Sequence, residues 1–126
     1  MHIELWLYGS LSTYANQNKQ AGFGLLKVEL PENATLADLL KSQNIPTAER
    51  GITFINGNLS ALPGFQPDLQ HPLQDNDRVA LFDLRSMWPF QYRNGAAMIE
   101  EMRQAISDDP NQLLHHQFEE GTEGQD

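Results

Sequence analysis

A chain of 126 residues, 40% of them apolar, can build one modest core but not two. It contains no cysteine, which excludes disulfides, thiol nucleophiles and cysteine-held iron–sulfur clusters. A formal charge of −9 argues against nucleic acid or an anionic membrane as partner and favours a basic protein surface.

Residues His2 to Tyr8 alternate, with Ile3, Leu5 and Leu7 on one face and Glu4, Trp6 and Tyr8 on the other, which predicts a half-buried strand. Gly9-Ser10 opens a polar loop, and Gly22-Phe23-Gly24 reads as a turn. A second strand is expected over residues 25–30, ended by Pro31. Thr35 is placed to cap a helix, with Asp38 in its first turn and Leu36, Leu39 and Leu40 as its apolar stripe; Ile45-Pro46 stops it. Residues 52–55 form a short strand, and Asn56-Gly57 is a hairpin turn because both tolerate positive φ. Residues 58–72 hold three prolines and read as loop with one short strand near Leu59. The last strand spans residues 78–84, entered through the turn Asp75-Asn76-Asp77. First and last strands are then expected as central, parallel neighbours, since the middle of the chain is long enough for the crossover that a parallel pair requires.

From Arg85 onward the character changes: three basic and eight acidic residues supply −5 of the charge. An aromatic stretch, Trp88-Pro89-Phe90-Gln91-Tyr92, precedes a helix expected from Asn94 to Ile106 with Met98, Ile99, Met102 and Ile106 on one stripe. Asp109-Pro110 starts a second short helix, and residues 119–126 read as a disordered acidic tail. The organisation is thus 1–84 as a domain, 85–118 as an aromatic and helical extension, and 119–126 as tail. No start resembling a signal peptide and no membrane-length apolar run occurs, which sets the expectation of a soluble, cytoplasmic protein.

Four fragments, in order, carry a family resemblance: Leu7-Tyr8-Gly9-Ser10-Leu11; Val28-Glu29-Leu30-Pro31 running to Thr35-Leu36-Ala37-Asp38-Leu39-Leu40; Phe54-Ile55-Asn56-Gly57-Asn58-Leu59; and Pro72-Leu73-Gln74-Asp75-Asn76-Asp77-Arg78-Val79-Ala80-Leu81-Phe82. Through them the first 84 residues resemble the β-grasp sulfur carriers, the small subunit of molybdopterin synthase and the thiamin-pathway carrier (the MoaD/ThiS family). The resemblance implies an α+β, ubiquitin-like β-grasp, with a mixed sheet of four or five strands, one packed helix and, here, a helical C-terminal extension. In those carriers a terminal Gly-Gly is adenylated and converted to a thiocarboxylate. This chain has no Gly-Gly, and by spacing it places Met87 and Trp88 there. Two functions follow: a non-catalytic protein-binding subunit or adaptor, or a carrier activated by C-terminal processing. Cleavage at Asn94-Gly95 would leave a single glycine after Arg93 and Asn94. The resemblance points to a cofactor-biosynthesis, molybdenum or tungsten enzyme as the partner.

The residues proposed to bind it fall in three groups. Trp6 and Tyr8 share the outward face of the first strand, with Phe82 and Leu84 beside them on the last; ubiquitin-like proteins use this face for partners. Arg85, Met87, Trp88, Phe90 and Tyr92 follow as interface anchors, or as residues that pin the extension to the domain. Met98 and Met102 lie on the helical stripe, which either docks on a partner or covers the chain's own open sheet face; the second is preferred. His115-His116 diverge on a helix and His71 has no evident partner, so neither predicts a metal site. Glu100-Glu101 read as the wet side of a helix. No nucleophile–base arrangement or phosphate loop is present, so no enzyme activity and no cofactor are expected.

Overall fold

The computed structural model describes residues 1–20, 23–85 and 97–108. Among these described residues six strands form one mixed sheet: β1 (His2–Tyr8), β2 (Lys19–Gln20), β3 (Phe23–Glu29), β4 (Arg50–Ile55), β5 (Asn58–Ala61) and β6 (Arg78–Asp83). Their spatial order is β2-β3-β1-β6-β4-β5. One helix, α1 (Leu36–Ser42), packs on the sheet, and a second, α2 (Glu100–Asp108), follows β6 in the chain. Strand β1 runs parallel to β6, with Leu5 opposite Val79 and Leu7 opposite Leu81, and antiparallel to β3. This is the ubiquitin-like β-grasp, with a two-residue sixth strand at the β3 edge.

Local chemistry accounts for the elements. Thr35 sits in extended geometry and closes a reciprocal capping box: its hydroxyl accepts from the Asp38 N–H at 3.3 Å, and the Asp38 carboxylate accepts from the Thr35 N–H at 2.9 Å. Asn56 (φ 51°) and Gly57 (φ 83°) turn β4 into β5, and Asn76 (φ 71°) makes the turn before β6. That second turn is stitched down by carboxylates, Asp75 accepting from the His2 N–H and Asp77 from the Gln74 N–H. Ile3, Leu5, Leu7, Val28, Val79 and Leu81 form one sheet face and bury against Leu36, Leu39 and Leu40 of α1. Alternation of period two is what puts all the aliphatic residues of β1 on that side.

Three expectations change. Strand β3 begins at Phe23, two residues earlier than predicted, because Phe23 pairs with Tyr8. The polar loop after β1 is wound into 3₁₀ turns over Gly9–Asn18 that bury Leu11 and Ala15. Helix α2 starts at Glu100 rather than Asn94, because residues 97–99 are extended and pair with β5. The Leu59 N–H donates to the Ala97 carbonyl at 2.8 Å, and the Ile99 N–H to the Leu59 carbonyl at 3.0 Å, in parallel register. An edge strand presents unpaired backbone groups, and this addition satisfies those of Leu59. Asn94, the second helix expected from Asp109 and the acidic tail lie outside the described residues.

Candidate protein-binding site

The sheet face opposite α1 is where β1 places Trp6 and Tyr8. Cross-strand register brings Phe23 beside Tyr8, and Ala80 of β6 between Trp6 and Phe54 of β4. The result is a row of five rings across four strands. Trp6 and Phe23 have centroids 5.4 Å apart, Tyr8 and Phe23 5.9 Å, Tyr8 and Phe82 4.5 Å in a near-parallel stack, and Phe82 and Phe54 6.0 Å edge-on. Contacts of this kind are worth about 0.5–1.5 kcal/mol each beyond the area they bury. All five residues are half-buried. The indole of Trp6 donates to the Glu4 carboxylate at 3.1 Å, which orients the ring at the boundary with a charged half of the same face. There Glu4 lies opposite Lys27 on one side and Arg78 on the other.

Of the residues singled out from the sequence, Trp6, Tyr8 and Phe82 are brought together in this row. Leu84 follows at the end of β6 and is 53% exposed, and Arg85 beside it is exposed. Met87, Trp88, Phe90 and Tyr92 lie outside the described residues. Met102 is fully buried and Ile99 nearly so; both belong to the cluster that contains the α1 leucines, with Met98 and Ile106 packed against it. The stripe therefore does not lie over Trp6 and Tyr8, the placement that the sequence favours. It docks where β5 offers a free edge, three strands from β1. Met102 is core, not surface.

Sequence reasoning missed Phe23 and Phe54. Phe23 was hidden by reading its glycine neighbours as a turn; the outward position of Phe54, alternating with Ile55, was available. It also missed two long-range side-chain contacts. Arg50, fully buried, makes a bidentate pair with the fully buried Asp68, Nη2 to Oδ1 at 2.6 Å and Nη1 to Oδ2 at 2.9 Å. Thr53 and Gln66 accept further bonds from the guanidinium, and Ser60 donates to Asp68 at 2.7 Å. This network pins the loop after β5 to the sheet, with Arg50, Thr53, Ser60 and Asp68 all buried. His71 is not partnerless and Glu101 is not simply wet: Nδ1 lies 2.8 Å from Oε2, joining α2 to the loop over the start of α1. Tyr14 donates to Glu49 at 2.7 Å, and that bond holds its phenol above the usual range.

Among the described residues no group of three or more His, Asp or Glu side chains is placed to hold a metal, and no helix is long and apolar enough to cross a membrane. What the arrangement offers chemically is contact, through aromatic and apolar surface at the end of the sheet where β6 stops.

No protein-family model matches the chain, and no curated protein matches it. Two solved structures from Haloferax volcanii are similar to it. One is small archaeal modifier protein 1, at 18% identity and a TM-score of 0.46, covering 65% of this chain and 95% of that one. The other, SAMP1, stands at 17% and 0.45, covering 70% and 100%.

Proposed function

We propose that this is a β-grasp protein-binding subunit, of sulfur-carrier descent, that acts without being thiocarboxylated and without catalysing a reaction itself. One observation carries the reading. Residues 97–108 are built into the body of the fold, through two backbone bonds to Leu59, the His71–Glu101 pair and the burial of Ile99 and Met102. The chain past β6, where a carrier presents its reactive end, is tied to the domain on both sides. A body that keeps the carrier architecture while its exit is anchored is suited to binding rather than to delivering a terminal group.

The partner surface we assign to the end of the sheet where Leu84 and Arg85 are exposed, beside the aromatic row. The sulfur-carrier resemblance suggests an enzyme of molybdenum, tungsten or sulfur metabolism as the partner, in the cytoplasm. Two measurements test this. Intact-mass analysis of the protein from its own host is expected to give a full-length, unmodified chain; a shortened species with sulfur in place of oxygen overturns the reading in favour of a processed carrier. Leu84→Glu places a charge on an exposed apolar position, and is expected to abolish co-purification of the partner with no change in thermal stability. Undiminished co-purification removes this end of the sheet from the interface.

A further inference from the structure

We propose that the open edge of β3 pairs with the same edge of a second copy of this chain, antiparallel and centred on Val28, so that two sheets join into one. This goes beyond the proposed function and does not depend on it, since β3 is two strands away from β6 and its exposed end.

The two edges of the sheet differ. At one, residues 97–99 pair with β5 and satisfy the backbone of Leu59. At the other, β2 pairs with β3 only at Phe23 and Gly24, and Pro31 ends the extended run. Which backbone groups stay open follows from the pairing with β1. Met1 and Leu30 exchange both backbone bonds, at 2.7 and 2.9 Å. Register then turns the N–H and C=O of Val28 and Leu26 toward Ile3 and Leu5, and alternation turns those of Lys27 and Glu29 away from β1. Among the described residues no backbone group pairs with them on that side, and both residues are exposed. An edge left open in this way is a template for another strand.

The side chains select both occupant and register. Two copies of β3 related by a two-fold axis run antiparallel, and their open groups meet only where odd-numbered residues stand opposite odd-numbered ones. A centre on Leu26 runs Glu29 into Phe23, which β2 already pairs. A centre on Lys27 or on Glu29 sets a like charge against itself, which is destabilising. A centre on Val28 sets Lys27 opposite Glu29 of the second copy, and Glu29 opposite its Lys27, each pair exchanging both backbone bonds. This arrangement continues a row already built, in which Glu4 stands between Arg78 and Lys27, so that charge alternates across β6, β1, β3 and the copy of β3. Charges of one sign on an edge deter pairing. Opposite signs two residues apart are complementary to an antiparallel copy of themselves. Val28, buried on the aliphatic face, meets its counterpart at the axis.

Sedimentation velocity of the full chain tests this, from micromolar to millimolar concentration, in salt that screens the charge of −9. A monomer–dimer equilibrium is expected. Glu29→Lys sets like charges opposite one another in both pairs and should weaken the dimer about tenfold. The exchange K27E/E29K makes them opposite again and should return the dimer to within about threefold of the parent. A chain that stays monomeric throughout overturns the proposal and leaves the edge to another protein. A dimer that Glu29→Lys does not weaken overturns it too, as does a loss that the exchange fails to reverse while circular dichroism shows folding intact. The absence of cysteine makes the register directly testable. In this register the Cα atoms of Val28 and its counterpart stand about 4.5 Å apart, within the span of a disulfide, so Val28→Cys should link the dimer on mild oxidation. Lys27→Cys, about 8 Å from its own counterpart, should not. Failure of Val28→Cys to link, or linkage as fast at position 27, overturns the register. Should Val28→Cys fail to fold, the charge exchange alone decides.

Discussion

Met102→Ala asks whether the extension is part of the domain or an appendage resting on it. The side chain is fully buried, in the cluster with Leu36, Leu39 and Leu59. Truncation removes Cγ, Sδ and Cε. At about 0.8 kcal/mol for each methylene-sized group the transfer loss is about 2.4 kcal/mol. The cavity left behind raises the cost toward about 3 kcal/mol, within the range of about 2–5 kcal/mol for such truncations in cores. Urea denaturation followed by circular dichroism is a suitable assay. With an m-value of about 2 kcal/mol per molar, the midpoint should fall by about 1.5 M while the transition stays single. Ile106→Ala, half-buried at the margin of the same cluster, should cost about 1 kcal/mol. A loss under about 0.5 kcal/mol for Met102→Ala, or a second transition at low urea, would refute the claim that residues 97–108 share the core.

Two other predictions follow from side-chain contacts to carboxylates. Arg50→Met strands the Asp68 carboxylate in a buried site, and should cost about 3–5 kcal/mol in denaturant melts; adding Asp68→Leu should restore most of it, because an apolar pair replaces a buried ion pair at little net loss. If the double variant is no more stable than the single, the geometry rather than the unpaired charge is at fault. Tyr14 should ionise above the ordinary phenol value of 10.0 in an absorbance titration, because the neutral hydroxyl is the form that donates to Glu49. The raised value means that the bond's contribution is complete below the unfolded pKa and is lost as pH rises through the folded one. Glu49→Gln should bring the titration back toward the ordinary value, and an unchanged curve would refute the assigned cause.

How much of this was legible in the sequence depended on the distance over which each feature is decided. Thr35 and Asp38 are three residues apart, and the helix start they encode is found where they put it. Ile3, Leu5 and Leu7 announce a face by alternation alone, and Asn56-Gly57 announces a turn by its own conformational freedom. Arg50 and Asp68 are 18 residues apart and His71 and Glu101 are 30 apart; nothing near either partner indicates the other, so both contacts had to be seen. The site divides in the same way. Trp6, Tyr8 and Phe82 were identifiable because a strand's period assigns them a face. The dock of the extension was not, because residues 97–99 have a helical apolar pattern yet are held extended by the open edge of β5. Local preference yielded there to a backbone that had hydrogen bonds to offer.

The pairing of residues 97–99 with β5 also bears on how such a chain can change by mutation. A stop codon placed just past β6 is the shortest genetic route to a free end. It would also delete Ile99 and Met102 from the core and expose the backbone of Leu59 again. A protein only about 5–15 kcal/mol above unfolding does not tolerate that loss in one step. Residues 97–108 are therefore held in place by what their loss would cost the fold, whatever chemistry a new chain end just past β6 could offer.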